Sequence, residues 1–166
     1  ITNLPLRWFY TGMVYYFLTC LQCALHVTLT FQALIHFTDW VVGHAHLVMF
    51  GVFSMWLMGI MTYLIPRLLG RPWYSQQLCA WHYWLSAVGV LVMFTDLTLV
   101  GVFQGYYWSS LLPWETSVDG SYPFWAFRVF AGLLMFGGLL CFLVNFYKTA
   151  LGDQRSPETS LTWKAT

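Results

Sequence analysis

Charge is what this sequence has least of. Only 8% of its 166 residues are Asp, Glu, Lys or Arg, against 59% that are hydrophobic, and the mean hydropathy is +0.63. A water-soluble domain carries about 25% charged residues. Too little polar surface is available here to keep a folded chain in solution, so lipid is the predicted solvent. The formal charge of +1 excludes the electrostatic footprint of a nucleic-acid binder. No phosphate-binding glycine loop, basic stripe, low-complexity tract or fixed-period repeat occurs. Cysteine is also scarce. Of the four, Cys20 and Cys23 form a C-x-x-C inside an apolar run, where a redox loop does not sit. These two, Cys79 and Cys141 read as packing residues. The chain opens on Ile1 and enters an apolar segment with no basic n-region and no small-residue cleavage site, which reads as a piece of something longer or a processed chain.

Aromatic residues, by contrast, are abundant. They make up 20% of the chain, with ten Trp, ten Tyr and fourteen Phe, a composition suited to interfacial belts and to packing around a large planar ligand. Four apolar segments stand out, at about 8–31, 41–64, 84–106 and 124–147. Each is long enough, at about 1.5 Å per residue, to cross a hydrocarbon core of about 30 Å. The predicted class is therefore an all-α membrane protein with four transmembrane helices over residues 1–152 and a polar cytoplasmic tail at 153–166. "IPRLLGRPWYSQQ" separates the second and third segments. "SSLLPWETSVDGSYP" separates the third and fourth, with Asp119-Gly120 as its turn signal.

The bases choose the sides. Arg7, Arg67, Arg71, Lys148, Arg155 and Lys164 all fall on one side of four crossings, whereas the other side has His36, Asp39, Glu115, Asp119 and a single base, Arg128. The positive-inside rule then predicts cytoplasmic termini and puts His36, Asp39, His44 and His46 toward the outer face.

The stretch "HFTDWVVGHAHL" holds three of the five histidines. Residues two apart on an α-helix point about 200° apart, so His44 and His46 cannot chelate one metal from a helix. They can each hold a different metal on either side of it. Imidazole is a common axial ligand of haem iron, and no second histidine at i+4 suggests zinc. The small neighbours Gly43 and Ala45 would let a flat macrocycle approach. His36 and Asp39 lie where haem propionates or a bridging cation would emerge. The plainer reading, interfacial histidines that only make hydrogen bonds, fits two residues on opposite faces less well than it fits one.

With these residues in view, the sequence resembles the tenth transmembrane helix of subunit I of the haem-copper oxidases, most closely the cbb3-type cytochrome c oxidases. "TCLQ", "YLIPRL", "WHYWL", "GVFQGYYW" and "FRVFAG" agree in order and spacing. The resemblance covers nearly the whole chain and corresponds to the last four helices of a twelve-helix core. It implies that His44 is the proximal ligand of the high-spin, oxygen-binding haem and its catalytic residue here. His46 would then be one axial ligand of the low-spin haem, with His36, Asp39 and Arg128 around the propionates. The implied cofactors are two b-type haems, a copper ion completed by residues outside this chain, and a calcium near the propionates. The implied partners are the remainder of subunit I, c-type cytochrome subunits and membrane lipid, in a bacterial inner membrane. The implied activity is reduction of oxygen to water coupled to proton translocation. The family's copper-ligand histidines, active-site tyrosine and second low-spin ligand belong to earlier helices and have no counterpart here. Nitric oxide reductases are relatives whose pattern at this position contains a glutamate, which "HAHLVMFG" lacks.

Other polar residues within the spans carry two readings each. Asp96 is either a proton-conducting or partner-contacting group, or a neutral acid hydrogen-bonded to a neighbouring helix, with Thr95 and Thr98 as local partners. Arg128 suits a propionate or a headgroup anchor. His82, at the inner end, reads as structural. Gln22, Thr19 and Tyr15 read as interhelical hydrogen bonds before a polar path. His26 is the in-chain alternative for a second haem ligand. It supports a rival reading, a non-catalytic cytochrome b in which His26 and His46 hold one haem. A haem-free structural or assembly subunit is the third.

Overall fold

The computed structural model describes residues 3–152, so the polar tail at 153–166, with Arg155 and Lys164, lies outside the described residues. Every regular element among them is helical. The first, α1 (Leu4–His26), starts where the Asn3 side chain accepts from the Leu6 amide and Pro5 stands in the first turn. The apolar segment read at 8–31 is not one straight helix. α1 stops at His26, and α2 (Leu29–Ile35) leaves it at 102°. The break falls on two β-branched residues, Val27 and Thr28. The Thr28 hydroxyl donates to the Leu25 carbonyl at 2.7 Å, and the Thr28 backbone is extended. A side-chain bond of that kind competes with the helical ladder.

α3 (Asp39–His46) begins under a Thr38 cap, whose hydroxyl accepts from the Trp40 amide, with Asp39 in the positive first turn. It continues into a π-helical segment, Leu47–Ser54, and then α4 (Met55–Leu69), together one helix of 31 residues. Ser54 Oγ donates to the carbonyl of Met49, five residues back, at 2.8 Å. Gly70, in the left-handed conformation at φ 61°, ends α4. α5 (Gln76–Trp108) starts at a Ser75 cap, and α6 (Trp114–Leu151) starts after Pro113.

That last boundary differs from the sequence reading. Asp119-Gly120 is not a turn but lies inside α6. Glu115 sits at the positive end of the helix, Ser121 Oγ bonds the Ser117 carbonyl, and Trp108 Nε1 donates to Ser117 Oγ at 2.9 Å. Gly120 serves the close approach of the Tyr107 ring, which a Cβ would meet at 3.2 Å.

The helix through α3 and α4, α5 and α6 are each long and apolar enough to cross a membrane. The bent pair α1–α2 makes a fourth if it is one span. The chain is thus a multi-pass membrane protein. α5 lies along α6, α3 packs on α5, and α1 packs on α4 and the π segment. Lipid tails are as apolar as leucine, so helices associate here through close packing and hydrogen bonds. Tyr15 donates to the Ala87 carbonyl at 2.7 Å, and the Thr11 and Tyr83 hydroxyls share a bond of 2.7 Å. Where α5 begins beside the end of α6, Asn145 accepts from the Ser75 amide and donates to its carbonyl, both at 2.9 Å. Arg71 donates there to the carbonyls of Ala150 and Gly152.

Gly101 sets the closest approach, since a Cβ there would stand 1.9 Å from the Trp40 backbone nitrogen. Gly101→Ala is therefore expected to lower the stability of the α3–α5 pair by about 3 kcal/mol or more. Gly132→Ala, with nothing within 4 Å, leaves stability unchanged or slightly raised. Thermal unfolding of the two variants in the same detergent checks the contrast.

Candidate functional site

One turn of helix carries both paired histidines, and the backbone sends them to different surroundings. His44 points at α1. Its Nδ1 donates to Gln22 Oε1 at 3.0 Å, and Gln22 Nε2 in turn reaches Thr98 Oγ1 on α5 at 3.4 Å. The imidazole stacks on Trp40, one turn earlier, with centroids 5.8 Å apart and planes within 4°. His46 makes a purely local bond: its Nδ1 donates to the Val42 carbonyl at 2.7 Å. Phe50 lies beside it at 5.5 Å. Both rings are half-buried.

These bonds fix the tautomers. With each Nδ1 committed as a donor, each Nε2 carries the lone pair, the state in which imidazole ligates a metal. The donor set therefore fits two separate irons, one per face. At His44 the Cys23 Sγ lies 3.6 Å from Nε2, a contact that a ligated metal would replace. Cys23 and Cys20 are both exposed on α1, so neither packs inside this chain as read from the sequence. Cys79 is buried and accepts from Asn145 Nδ2. Among the described residues, no three of His, Cys, Asp and Glu converge as a metal site.

The flanking residues differ from the sequence reading. Gly43 is buried, and a Cβ there would meet Leu97 Cβ at 2.9 Å. Its smallness serves the α3–α5 approach rather than a macrocycle. His26 stands on the His44 face, with ring centroids 5.3 Å from Trp40 and 5.8 Å from His44. It is not placed to share a haem with His46. His82 is 4% exposed between Trp8 and Phe142.

The turn into α3 is strained. Phe37 has φ 65°, a conformation that costs a non-glycine residue about 1–2 kcal/mol. The His36 ring meets it edge-on, with centroids 4.0 Å apart, and its Nδ1 accepts from Gln32 Nε2 at 2.7 Å. Asp39 is held from two helices. Its amide donates to Gln104 Oε1, and its Oδ2 accepts from Gln104 Nε2 and Trp125 Nε1, each bond 2.8 Å. Ser121 Oγ takes a further Gln104 bond at 3.2 Å. Asp39 is thus primarily the tie between α3, α5 and α6. Gln104 and Trp125 were not singled out in sequence, although Gln104 lies in "GVFQGYYW". Arg128 is half-buried on α6, and both it and Asp39 lie within electrostatic reach of Asp96.

His44 and His46 thus face different surroundings from one turn of a long apolar helix, each with its Nδ1 engaged. The model of the family described as Cytochrome C and Quinol oxidase polypeptide I matches residues 1–158, and the chain belongs to that family. It is 33% identical over 137 residues to the cytochrome c oxidase subunit 1 homolog of Agrobacterium tumefaciens (strain T37), covering 78% of this chain and 25% of that protein. It is 26% identical over 152 residues to the cbb3-type cytochrome c oxidase subunit CcoN1 of Stutzerimonas stutzeri, covering 87% of this chain and 32% of that one. In fold it matches a chain of a heme-copper terminal oxidase dimer seen by cryo-EM, with a TM-score of 0.77 at 17% identity, over 98% of this chain and 29% of that one. The chain therefore spans about a quarter to a third of the length of the relatives it matches.

Asp39→Ala is expected to cost about 1–3 kcal/mol by leaving Gln104 and Trp125 donors unpaired, whereas Asp39→Asn, which keeps an acceptor oxygen, costs less. Chemical or thermal unfolding of the two variants against the parent reads the difference.

Proposed function

We propose that this chain supplies the haem-bearing quarter to third of a terminal respiratory oxidase of cbb3-like type, which reduces oxygen to water with proton translocation. The observation that carries this reading is the pair His44 and His46, with each Nδ1 committed to an acceptor and each Nε2 left as a ligand on its own side of the helix. His44 would hold a high-spin b-type haem, and His46 would hold a low-spin b-type haem. When bound, the haems supply electron delivery and oxygen reduction, together with a copper ion ligated by residues outside this chain.

The chain's own residues then have distinct tasks. Gln22 holds the His44 proton at Nδ1 and turns the ring, with Trp40 stacked behind it. Val42 does the same for His46 through its carbonyl. His36, Asp39 and Arg128 face the outer end, where propionates and a calcium ion would be met, and Asp39 keeps that end of α3 fixed to α5 and α6. Leu47, Trp8 and Met55, all buried, keep water from the inner side. Electrons come from c-type cytochrome subunits, and the rest of subunit I supplies the missing ligands. The complex lies in a bacterial inner membrane, with both ends of this segment cytoplasmic. The position of His26 against His44 speaks against the rival cytochrome b arrangement.

The first test is a carbon monoxide difference spectrum of the reduced, purified complex. A CO-binding haem signal is expected, absent in His44→Ala and present in His46→Ala, which instead loses the low-spin haem. A fully haem-loaded complex with no CO response would overturn the oxidase reading. A second test addresses Gln22. Loss of its hydrogen bond makes the His44 imidazole a poorer electron donor, so Gln22→Leu is expected to raise the midpoint potential of the high-spin haem. A spectroelectrochemical titration measures it, with the low-spin potential as internal control.

A further inference from the structure

The end of the bundle where α4 gives way to α5 gathers bases and none of the described acids. Arg7 stands in the first turn of α1, Arg67 near the end of α4, Arg71 in the turn that follows and Lys148 in the last turn of α6. Trp8 lies against both Gly59 and His82, which puts the start of α1 at this same end. The described acids lie elsewhere: Asp39, Glu115 and Asp119 at the starts of α3 and α6, and Asp96 well along α5. Arg67 is engaged by its own helix, donating to the Tyr63 carbonyl and lying over the Tyr63 ring.

Two of these bases meet in a pocket. A recess of about 430 Å³ lies between the α4–α5 turn and the end of α6, with Arg71, Trp73, Tyr74, Tyr147, Lys148 and Leu151 among its walls. Bonds between the two elements hold its frame. Arg71 Nη1 donates to the Ala150 and Gly152 carbonyls, the Tyr74 amide donates to Thr149 Oγ1 at 3.0 Å, and Trp73 Nε1 donates to the Thr62 carbonyl at 2.9 Å. Carbonyl partners leave the guanidinium charge unneutralised, and its Nη2 and Nε groups make no bond to a described residue. Lys148 is exposed. Its Nζ stands 4.6 Å from the centre of the Tyr74 ring, and its one oxygen partner is the Tyr74 hydroxyl at 3.4 Å, not a carboxylate.

We propose that this pocket binds the phosphate of an anionic phospholipid, with Arg71 and Lys148 as its counter-charges and the acyl chains laid along α6. The guanidinium fork matches phosphate oxygens and the ammonium adds a compact point charge, a pairing suited to a phosphodiester. Aromatic side chains mark the depth, because Trp73, Tyr74 and Tyr147 stand at helix ends of a membrane-spanning chain, where headgroups lie. A soluble anion would need only the polar rim. This pocket instead runs into an apolar strip: Leu143, Tyr147 and Leu151 follow one another four residues apart on α6 and are 48%, 65% and 67% exposed. Tyr147 and Leu151 belong to both pocket and strip, so a molecule that fills both is charged at one end and apolar along the other.

The test uses the intact purified complex in nanodiscs of phosphatidylcholine doped with a diazirine-bearing phosphatidylglycerol, and a parallel set with the same diazirine on phosphatidylcholine. After illumination, mass spectrometry is expected to find phosphatidylglycerol adducts on the peptide spanning residues 143–151, in clear excess over phosphatidylcholine adducts there. Lys148→Gln is expected to lower that excess about fivefold, the worth of one base beside a charged headgroup, and Lys148→Arg to restore it. Lys148 is exposed and bonds only Tyr74, so both variants are expected to assemble as the parent does. Equal labelling by the two lipids, adducts confined to other faces, or an excess indifferent to Lys148→Gln would each overturn the proposal. Protection of Lys148 from an amine-reactive reagent by inorganic phosphate, with no phosphatidylglycerol adduct, would assign the pocket to a soluble anion and overturn it too. Neither haem content nor oxidase activity enters the readout, so this test stands whatever the carbon monoxide spectrum shows.

Discussion

Hydrocarbon has no hydrogen bonds to offer, and almost every feature of this chain follows from that constraint. Backbone amides and carbonyls must find each other, which leaves only helices for an open span. Side-chain donors must find acceptors on neighbouring helices or on their own turn. Tyr15 reaches Ala87, Gln22 reaches both His44 and Thr98, and Gln104 reaches Asp39 and Ser121. In water such bonds would compete with solvent. Here they decide which helix faces which. Close backbone approach at Gly101 and Gly43 then adds dispersion contacts that a larger residue would prevent.

The two histidines meet this constraint in different ways, and the difference matters for what each can do. His46 bonds a carbonyl of its own helix, so its orientation is set as soon as α3 forms. His44 bonds a side chain on α1, so its orientation depends on the α1–α3 contact and, through Gln22, on α5 as well. A ligand held by its own turn is rigid and local. A ligand held through a second helix is responsive to how the bundle sits. On the proposed ligation, the first arrangement would suit a haem that only passes electrons, and the second one that takes part in the chemistry.

Much of this was legible in the sequence, because helical rotation and apolar length are properties of the chain itself. The apolar segments and the different directions of His44 and His46 follow from length and spacing. The bend at Val27-Thr28 was hidden because both residues are apolar enough to extend a hydropathy window, while the break lies in one hydroxyl-to-carbonyl bond. The helix through Asp119-Gly120 was hidden for the opposite reason. A turn-like dipeptide is overruled when its glycine packs against a ring and its neighbours bond Gln104 and Trp108 from the facing helix. The roles of Asp39 and Gly43 also depend on partners distant in sequence, and spacing along one helix carries no record of them. The haem ligation itself rests on the resemblance together with the tautomers, and the CO and potential measurements address it directly.

The π segment has a separate consequence. Bonds from i to i+5 hold about one residue more per turn than the α-helix does, so Leu47–Ser54 stores surplus length immediately after the histidine pair. The N-terminal part of this span, with His44 and His46, and the C-terminal part, with Gly59 and Thr62, therefore need not keep a common angular phase. Sequence drift that adds or removes a residue in the wide stretch can be absorbed as a change of winding. Neither the side that carries the histidines nor the packing side would have to rotate. The segment behaves as a slip coupling, and it lets the end with His44 and His46 vary independently of the end that anchors it.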